Sequence, residues 1–576
     1  MSGNGRMPPP GAREDARRFA SRRRGLGARG GLEADYIIVG SGSAGAALAA
    51  RLSEDPRVSV LVLEAGGPDR ALELHVPAAF KKLFRGPYDW GYDTVPQPEL
   101  EGRRIFWPRG RTLGGSSSLN AMMWVRGFAA DYDEWAARTA DRWSWDAVLP
   151  VLRRIESVQD AVDPSLGRSG PQPVEQQRDP RPHTAAFLAA ARELGYDITE
   201  ANIPRGQGFS QTMVTQRRGA RASTADTYLR PAAARANLRV ITNAHVRRIT
   251  FTTDSDAPPR ANGVYVDIDG TTRHARARRE IVLCAGAINT PQTLMLSGVG
   301  PADHLHELGI RTLVDSPDVG ANLQDHLVAG LAPGAAGGTL YGAERPGELI
   351  RYLVSRRGML TSNVAEAYGF VRTDLAARAG VPDGLPDIEI IFAPAPYVGE
   401  GLTPLPAEGI TVGAILLRPH SRGSIRLVSS DPYAHPVIDP AYLSDTAGLD
   451  AATMRAGLEV CEQLIATSSL RAVTTGSWVQ PQGGERMSAG ERIELSLRRF
   501  SHTLYHPVGT ARMGTDDDSV VDPDLRVRGV AGLRVADASV MPTIIRGHTH
   551  APAIVIGEVA ADLLRADSGS GIQVAD

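Results

Sequence analysis

Cysteine is almost missing from this 576-residue chain. Only Cys284 and Cys461 occur, too few for a disulfide framework or a cysteine-based zinc site, and the scarcity suits a reducing cytoplasm. Cys284 sits in an apolar run, IVLCAGA, and reads as a packed side chain. No stretch of about 18 apolar residues occurs, so the sequence offers no transmembrane helix, while peripheral membrane contact stays open. A dominant charge is absent too: 63 Lys and Arg face 65 Asp and Glu, a formal net charge of -2. That balance gives no general attraction for nucleic acid or an anionic bilayer. Residues 1–32 are rich in Arg, Gly and Pro, including Arg22, Arg23 and Arg24, yet lack the apolar core of a secretory signal. They read as a disordered leader, with an address or contact arm as the alternative.

With 42% hydrophobic and 22% charged residues, the chain has material for a large core and two to four domains. DYIIV at 35–39 is a short apolar run that ends in VGSGSAG, and AALAARLSED follows with helical spacing. VSVLVLEAG at 58–66 is the next buried-strand signal, ending at Glu64, nineteen positions beyond Gly45. Strand, glycine turn, helix and strand make a βαβ unit in which Gly40 permits the tight turn, Gly42 lets backbone approach a pyrophosphate and Gly45 admits close helix packing. Glu64 is placed to bind a ribose hydroxyl, or else is a solvated strand-end carboxylate. The pattern predicts a dinucleotide without separating FAD from NAD. LGGSSSLN at 113–120 offers consecutive backbone N–H groups as a second anion cradle.

Runs beginning at Leu238 (LRVITNAHV), Arg279 (REIVLCAGA) and Gly532 (GLRVADASV) read as later strands of the same buried sheet. Between about 330 and 499 the texture changes to shorter alternating runs such as GITVGAILL and GSIRLVSS, which predict an antiparallel sheet with helices. The Pro-rich, polar segment 164–182 reads as an exposed loop or lid. The expected organisation is a leader at 1–33, a cofactor domain in three pieces (34–150, 208–329 and 501–566), a substrate-domain or lid segment at 151–207, a substrate domain at 330–500 and a disordered tail at 567–576.

Five ordered motifs carry a resemblance: FWPRGRTLGGSSSLNAMMWVRG at 106–127, GAINTPQTLMLSGVGP at 286–301, DVGANLQDHL at 318–327, TLYHPVGTARMG at 503–514 and RGHTHAPAIVIGE at 546–558. Together they resemble the glucose-methanol-choline (GMC) oxidoreductase family, and the likeness runs from about 35 to 564. Within it the chain looks most like bacterial choline dehydrogenase-like and aliphatic alcohol dehydrogenases, sharing an LTSNVAEA-type segment at 360–367. The resemblance implies an α/β FAD-binding domain of Rossmann-like βαβ, GMC type, plus an α+β substrate domain built on an antiparallel sheet. It implies FAD, with the adenosine end near Gly40, Gly42, Gly45, Glu64 and Val246, and the flavin near Gly115, Asn120, Ala121 and Met122. Asp537 and Ala538 would also touch it. Some relatives tether the flavin through a histidine where this chain has Leu119, so non-covalent FAD is expected.

Alcohol oxidation needs a base for the hydroxyl proton, and imidazole titrates near neutrality. His506 matches the catalytic histidine of the family's YHPVGT motif, and Pro507 restricts the backbone that presents it. His550, in GHTHAP, is expected to hydrogen-bond the substrate oxygen, while His548 is expected behind it or at the flavin edge. Read without the family, His502, His506, His548 and His550 also suggest a metal site, but no carboxylates are arranged beside them and no metal is expected. Glu366 matches a glutamate of choline dehydrogenase-like relatives and reads as an attractor for a quaternary ammonium or as a structural hydrogen-bonding residue. Trp124, Trp135, Trp143 and Trp145 read as packing rather than an aromatic cage.

The expected function is oxidation of an alcohol to an aldehyde or ketone by hydride transfer to flavin N5, with electrons passing on to oxygen, a quinone or another carrier. The alternatives are a non-redox lyase that keeps the flavin as structure, and a flavin-binding partner without turnover.

Overall fold

The computed structural model describes residues 31–159, 161, 163–203 and 206–569. The expected leader therefore lies outside the described residues apart from its last three, and the expected tail apart from its first three. Those exceptions move both boundaries, because strand β1 (Leu32–Val39) starts inside the leader and helix α3 (His550–Asp567) runs to the first tail residue.

The βαβ unit forms as expected: β1, helix α1 (Ser43–Leu52), then β2 (Val60–Leu63). All four residues of β2 and the last six of β1 are buried, which parallel strands covered on both faces require. α1 is nearly all small residues, and α3 lies close against it: a Cβ on Gly557 would stand 2.3 Å from the Ala44 carbonyl oxygen. The sheet continues with β3 (Leu238–Ile241), β4 (Ala244–Asp254), β5 (Ala257–Ile268), β6 (Thr271–Leu283) and β7 (Leu533–Val535), in the order β3-β2-β1-β6-β5-β4, with β7 paired to β6. The single strand expected from Leu238 is thus two, parted at Asn243, whose φ of 53° turns the chain.

Register decides where a ligand sits. Val39 pairs with Leu63 on one side and Leu283 on the other, and Leu283 pairs with Val535. Four parallel strands therefore end level, and Gly40, Glu64, Cys284 and Ala536 share one rim, the carboxyl edge where open α/β sheets bind ligands.

The second sheet has seven antiparallel strands. Its order is Thr474–Gln480, Leu327–Ala335, Thr411–Leu416, Ile388–Ala393, Ala367–Val371 and Gly208–Gln211, with His502–Thr503 paired to Leu327–Ala335. Alternation splits each strand between two faces. Ile388, Ile390, Phe392, Val412 and Ala414 enter a core backed by helix Leu449–Ile465, whereas Ile391, Ala393, Thr411 and Gly413 face the cavity described below. Gly208–Gln211 belongs to this sheet, so the boundary expected at 208 moves: the segment had been given to the cofactor domain, but its backbone pairs with Ala367–Val371. The loop expected at 164–182 is also corrected, since Gln172–Gln176 is a strand paired to Glu156–Val158 and Met213–Val214, with its first three residues buried.

Candidate active site

One cavity runs from the rim of the parallel sheet to the face of the antiparallel one. Of the residues singled out in the sequence, Gly40, Gly42, Glu64, Gly115, Asn120, Ala121, Met122, Val246, Asp537, Ala538, His506, His548 and His550 line it, as does Leu119. Gly45 and Glu366 do not. Gly45 instead seals the turn from behind, where a Cβ would lie 2.2 Å from the Gly40 oxygen.

Gly40 adopts φ +99°, and a side chain there would meet the Cys284 carbonyl at 2.4 Å. The second glycine loop is pressed against the first, for a Cβ on Gly115, at φ +52°, would stand 2.8 Å from the Gly42 Cα. Glu64 is tied into this floor: it accepts from Ser41 N at 2.9 Å, Ser41 Oγ at 2.7 Å and Gly66 N at 2.8 Å. Burial raises its carboxyl, and those donors oppose the rise. Asp537 accepts from Gly286 N at 2.9 Å and Thr290 Oγ1 at 2.6 Å, closing the first turn of helix α2 (Gly286–Leu296) at the same rim. These residues fit a flavin dinucleotide. Two side-chain-free backbones meet on the cavity floor, and the buried Nε2 of His550 has no partner among the described residues, leaving a polar atom for a ligand to satisfy.

The three sequence-predicted histidines separate. His550 opens α3 and bonds through Nδ1 to Ser43 Oγ at 2.9 Å, beside the first glycine turn. His548 lies against His506 instead, with ring centroids 4.7 Å apart and planes at 70°. His548 therefore stands next to the base candidate, and His550 stands against the βαβ unit, while both line the cavity. The start of α3 parts the two rings, because His550 is the first residue of α3 and bonds to Ser43, the first of α1, while His548 lies in the irregular backbone before the helix.

Two residues behind His506 were missed. His506 N donates to Asp325 Oδ1 at 2.8 Å, and Asp325 Oδ2 accepts from Tyr442. His506 Nδ1 and His326 Nδ1 are 2.9 Å apart, and His326 Nε2 lies 3.2 Å from the Leu417 oxygen. Burial and the neighbouring His548 hold His326 down at about 3, so its ring is neutral. The carbonyl accepts only, which puts the one His326 proton on Nε2 and makes its Nδ1 an acceptor. The His506 proton then sits on Nδ1, and its Nε2 keeps a free lone pair. Burial, with His548, His326 and Arg109 adding, holds His506 well below the ordinary histidine value.

Glu389 is the third missed residue. It is fully buried and its Oε1 lies 3.1 Å from His548 Nε2. The signal was present, since IEIIFA puts one charge in an apolar strand, and a buried carboxylate needs a partner. Asp325 and His326 lie within the DVGANLQDHL motif.

Glu366 answers its two readings. It is buried, off the cavity wall, and its carboxylate accepts from Arg181 N at 2.7 Å, Thr184 Oγ1 at 2.6 Å and Ser362 Oγ at 2.6 Å. Trp124, Trp135 and Trp143 are fully buried, and their Nε1 atoms bond Glu156, the Thr543 carbonyl and the Pro523 carbonyl.

Residues 34–328 match the N-terminal model of the GMC oxidoreductase family, and residues 419–557 match its C-terminal model. An uncharacterised GMC-type oxidoreductase of Mycobacterium tuberculosis (strain ATCC 25618 / H37Rv) is 56% identical over 537 residues, covering 92% of this chain and 99% of its own. The mitochondrial choline dehydrogenase of Mus musculus is 38% identical over 549 residues, covering 92% and 89%. Among solved structures, pyridoxine 4-oxidase from Mesorbium loti superposes with a TM-score of 0.82 at 33% identity, covering 92% of this chain and 99% of that one. Leu119 has no nucleophile with which to tether a flavin. With the two cradle loops, the paired imidazoles and these likenesses in place, the chain belongs to the GMC oxidoreductase family, FAD-dependent oxidoreductases acting on CH–OH groups.

Proposed function

We propose that this protein oxidises an uncharged alcohol to an aldehyde or ketone, with His506 as general base and His548 as its partner at the substrate oxygen. The observation that carries the reading is the chain of ring nitrogens from the Leu417 carbonyl through His326 to His506, which leaves His506 Nε2 unprotonated. A bound flavin supplies a two-electron oxidant for the carbinol carbon. His506 Nε2 takes the hydroxyl proton as C–H cleavage proceeds, and the neutral ring is ready to do so because burial disfavours its charged form. His548, with Nε2 engaged by Glu389, offers Nδ1 to the same oxygen, and in its protonated form it donates a hydrogen bond to developing alkoxide. His550 serves the cofactor: its position on Ser43 supports a role in holding the dinucleotide rather than in proton transfer.

The substrate end is walled by Phe80, Phe84, Tyr397, Phe500, His502 and Tyr505. Tyr397 and Tyr505 join hydroxyls at 2.6 Å, and the Lys81 ammonium lies 5.4 Å from the Tyr397 ring. The carboxylates on the cavity wall, Glu64 and Asp537, are both at the cofactor rim. A quaternary ammonium would therefore meet aromatic faces but no carboxylate at this end among the described residues, with the Lys81 cation already beside the Tyr397 ring, and this favours an uncharged alcohol over choline.

The test is anaerobic mixing of the holoenzyme with aliphatic, aromatic, polyol and amino alcohols, choline included. Bleaching of the flavin absorbance by uncharged alcohols is expected. Product formation with the flavin still oxidised would identify a lyase instead, and readmitting air or a quinone afterwards names the electron acceptor.

A further inference from the structure

Four large apolar side chains stand in water on one short helix. Pro346–Ser355 leaves Leu349, Ile350, Leu353 and Val354 at 40, 62, 50 and 82% exposure, and of its ten residues only Tyr352 is buried. Tyr341, at 41%, lies just before it, so five of the eleven large exposed hydrophobics among the described residues fall within 341–354. Scattered exposed apolar residues need no explanation. A stripe of them does, and i, i+4 spacing joins 349 to 353 and 350 to 354 on one side of the helix.

The rim of the stripe is basic. Among the described residues, Arg345, Arg351, Arg356, Arg357 and Lys82 stand with the acids Glu344, Glu348 and Asp179, which pair with Lys82 at 3.2 Å, Arg351 at 3.8 Å and Arg357 at 3.0 Å. Beneath the helix, Tyr352 packs on Val76, Ala79 and Leu360. Phe80, next to Ala79, and residues 363–365, which follow the helix, belong to the cavity wall.

We propose that this helix docks the protein onto an anionic phospholipid surface. It would lie in the interface plane, with Leu349, Ile350, Leu353 and Val354 among the acyl chains and the arginines at the phosphates. At about 15 Å, a ten-residue helix is far too short to cross a bilayer, and no helix among the described residues is long and apolar enough to do so. A second copy of the chain fits less well, because the stripe offers on the order of 400 Å² against the ~800 Å² per partner of a standard interface. Docking here sets the cavity wall one layer of side chains above the lipid, within reach of a membrane-dissolved alcohol or electron carrier.

The docking is read from the surface alone, so its test does not depend on turnover. Full-length holoenzyme is sedimented with vesicles of phosphatidylglycerol and phosphatidylcholine, and with phosphatidylcholine alone. Binding is expected to the anionic vesicles, and to fall about tenfold or more in the Ile350→Glu, Val354→Glu double variant. Both positions are exposed, so the variant keeps its flavin spectrum and melting temperature. Binding as strong in the variant as in the wild type overturns the proposal, since the Arg-rich N-terminal residues or another surface would then carry it. So does a wild type that ignores vesicles but forms a dimer, by light scattering, that the variant dissolves.

Discussion

His506 and His326 meet through their Nδ1 atoms at 2.9 Å, and the Leu417 carbonyl beyond His326 decides which ring donates. Replacing His326 by Leu removes the acceptor and strands the His506 Nδ1–H in a buried site. A lost hydrogen bond of about 1–3 kcal/mol corresponds to roughly a 5- to 150-fold slower flavin reduction. His326→Gln, whose amide oxygen still accepts, recovers part of the rate. Stopped-flow reduction across a pH series reads this directly, because loss of the tautomer lock also moves the acid limb of the profile, which a packing defect would leave in place.

His548 and His550 separate by assay. His548→Ala slows flavin reduction by about 10²–10³, the usual cost of removing a donor aimed at a developing oxyanion. His550→Ala loses its Ser43 partner and weakens FAD retention, while molecules that keep their flavin reduce at close to the wild-type rate. Equal reduction defects in the two variants would refute this division of roles.

The cofactor half of this arrangement was open to reading because its signals are local. A strand, a glycine turn and a carboxylate at fixed spacing specify Gly40, Gly42 and Glu64 without reference to the rest of the chain, and the cavity includes all three. The histidine pair was harder. Only Thr549 separates His548 from His550, and the start of α3 at His550 sends one ring to His506 and the other to Ser43. Glu389 and His326 meet their partners across 159 and 180 residues of chain, so no spacing rule finds them. Gly208–Gln211 was misassigned for the same reason, since strand pairing is non-local and its four residues fit either sheet.

Buried neutral histidines make the fold sensitive to acid. Burial holds His326 at about 3 and His502 and His550 at about 4, against a usual 6.5. The unfolded chain takes up protons that the folded one refuses, so stability present above pH 6.5 is lost progressively as pH falls toward 4. Asp325, pushed up to about 6 by burial, acts oppositely: it favours the fold below 3.8 and loses that effect as pH rises through 6. Other buried carboxyls, Glu64, Glu156, Glu366 and Asp537 among them, are raised as well, so the histidine share is read as a difference: between pH 7 and pH 4.5 the urea midpoint of the wild type should fall relative to that of His502→Phe, and parallel midpoints would contradict the burial of the His502 ring in neutral form.

Gly115→Ala tests the cradle. Its Cβ would lie 2.8 Å from the Gly42 Cα at a backbone angle that disfavours side chains, so one of the two loops must move. The variant is expected to purify with little or no FAD. Full flavin content, measured by absorbance after gel filtration, would show that the close contact of the loops is not needed for binding.

In the proposed reaction an unprotonated imidazole at position 506 removes the hydroxyl proton. The most direct measurement is the rate of anaerobic flavin bleaching by a good alcohol substrate in His506→Ala, with bound FAD counted first. The variant should carry a normal complement of flavin and bleach slower by about 10²–10⁴, the range that general-base catalysis contributes. Bleaching at the wild-type rate with the flavin in place would remove His506 from the chemistry.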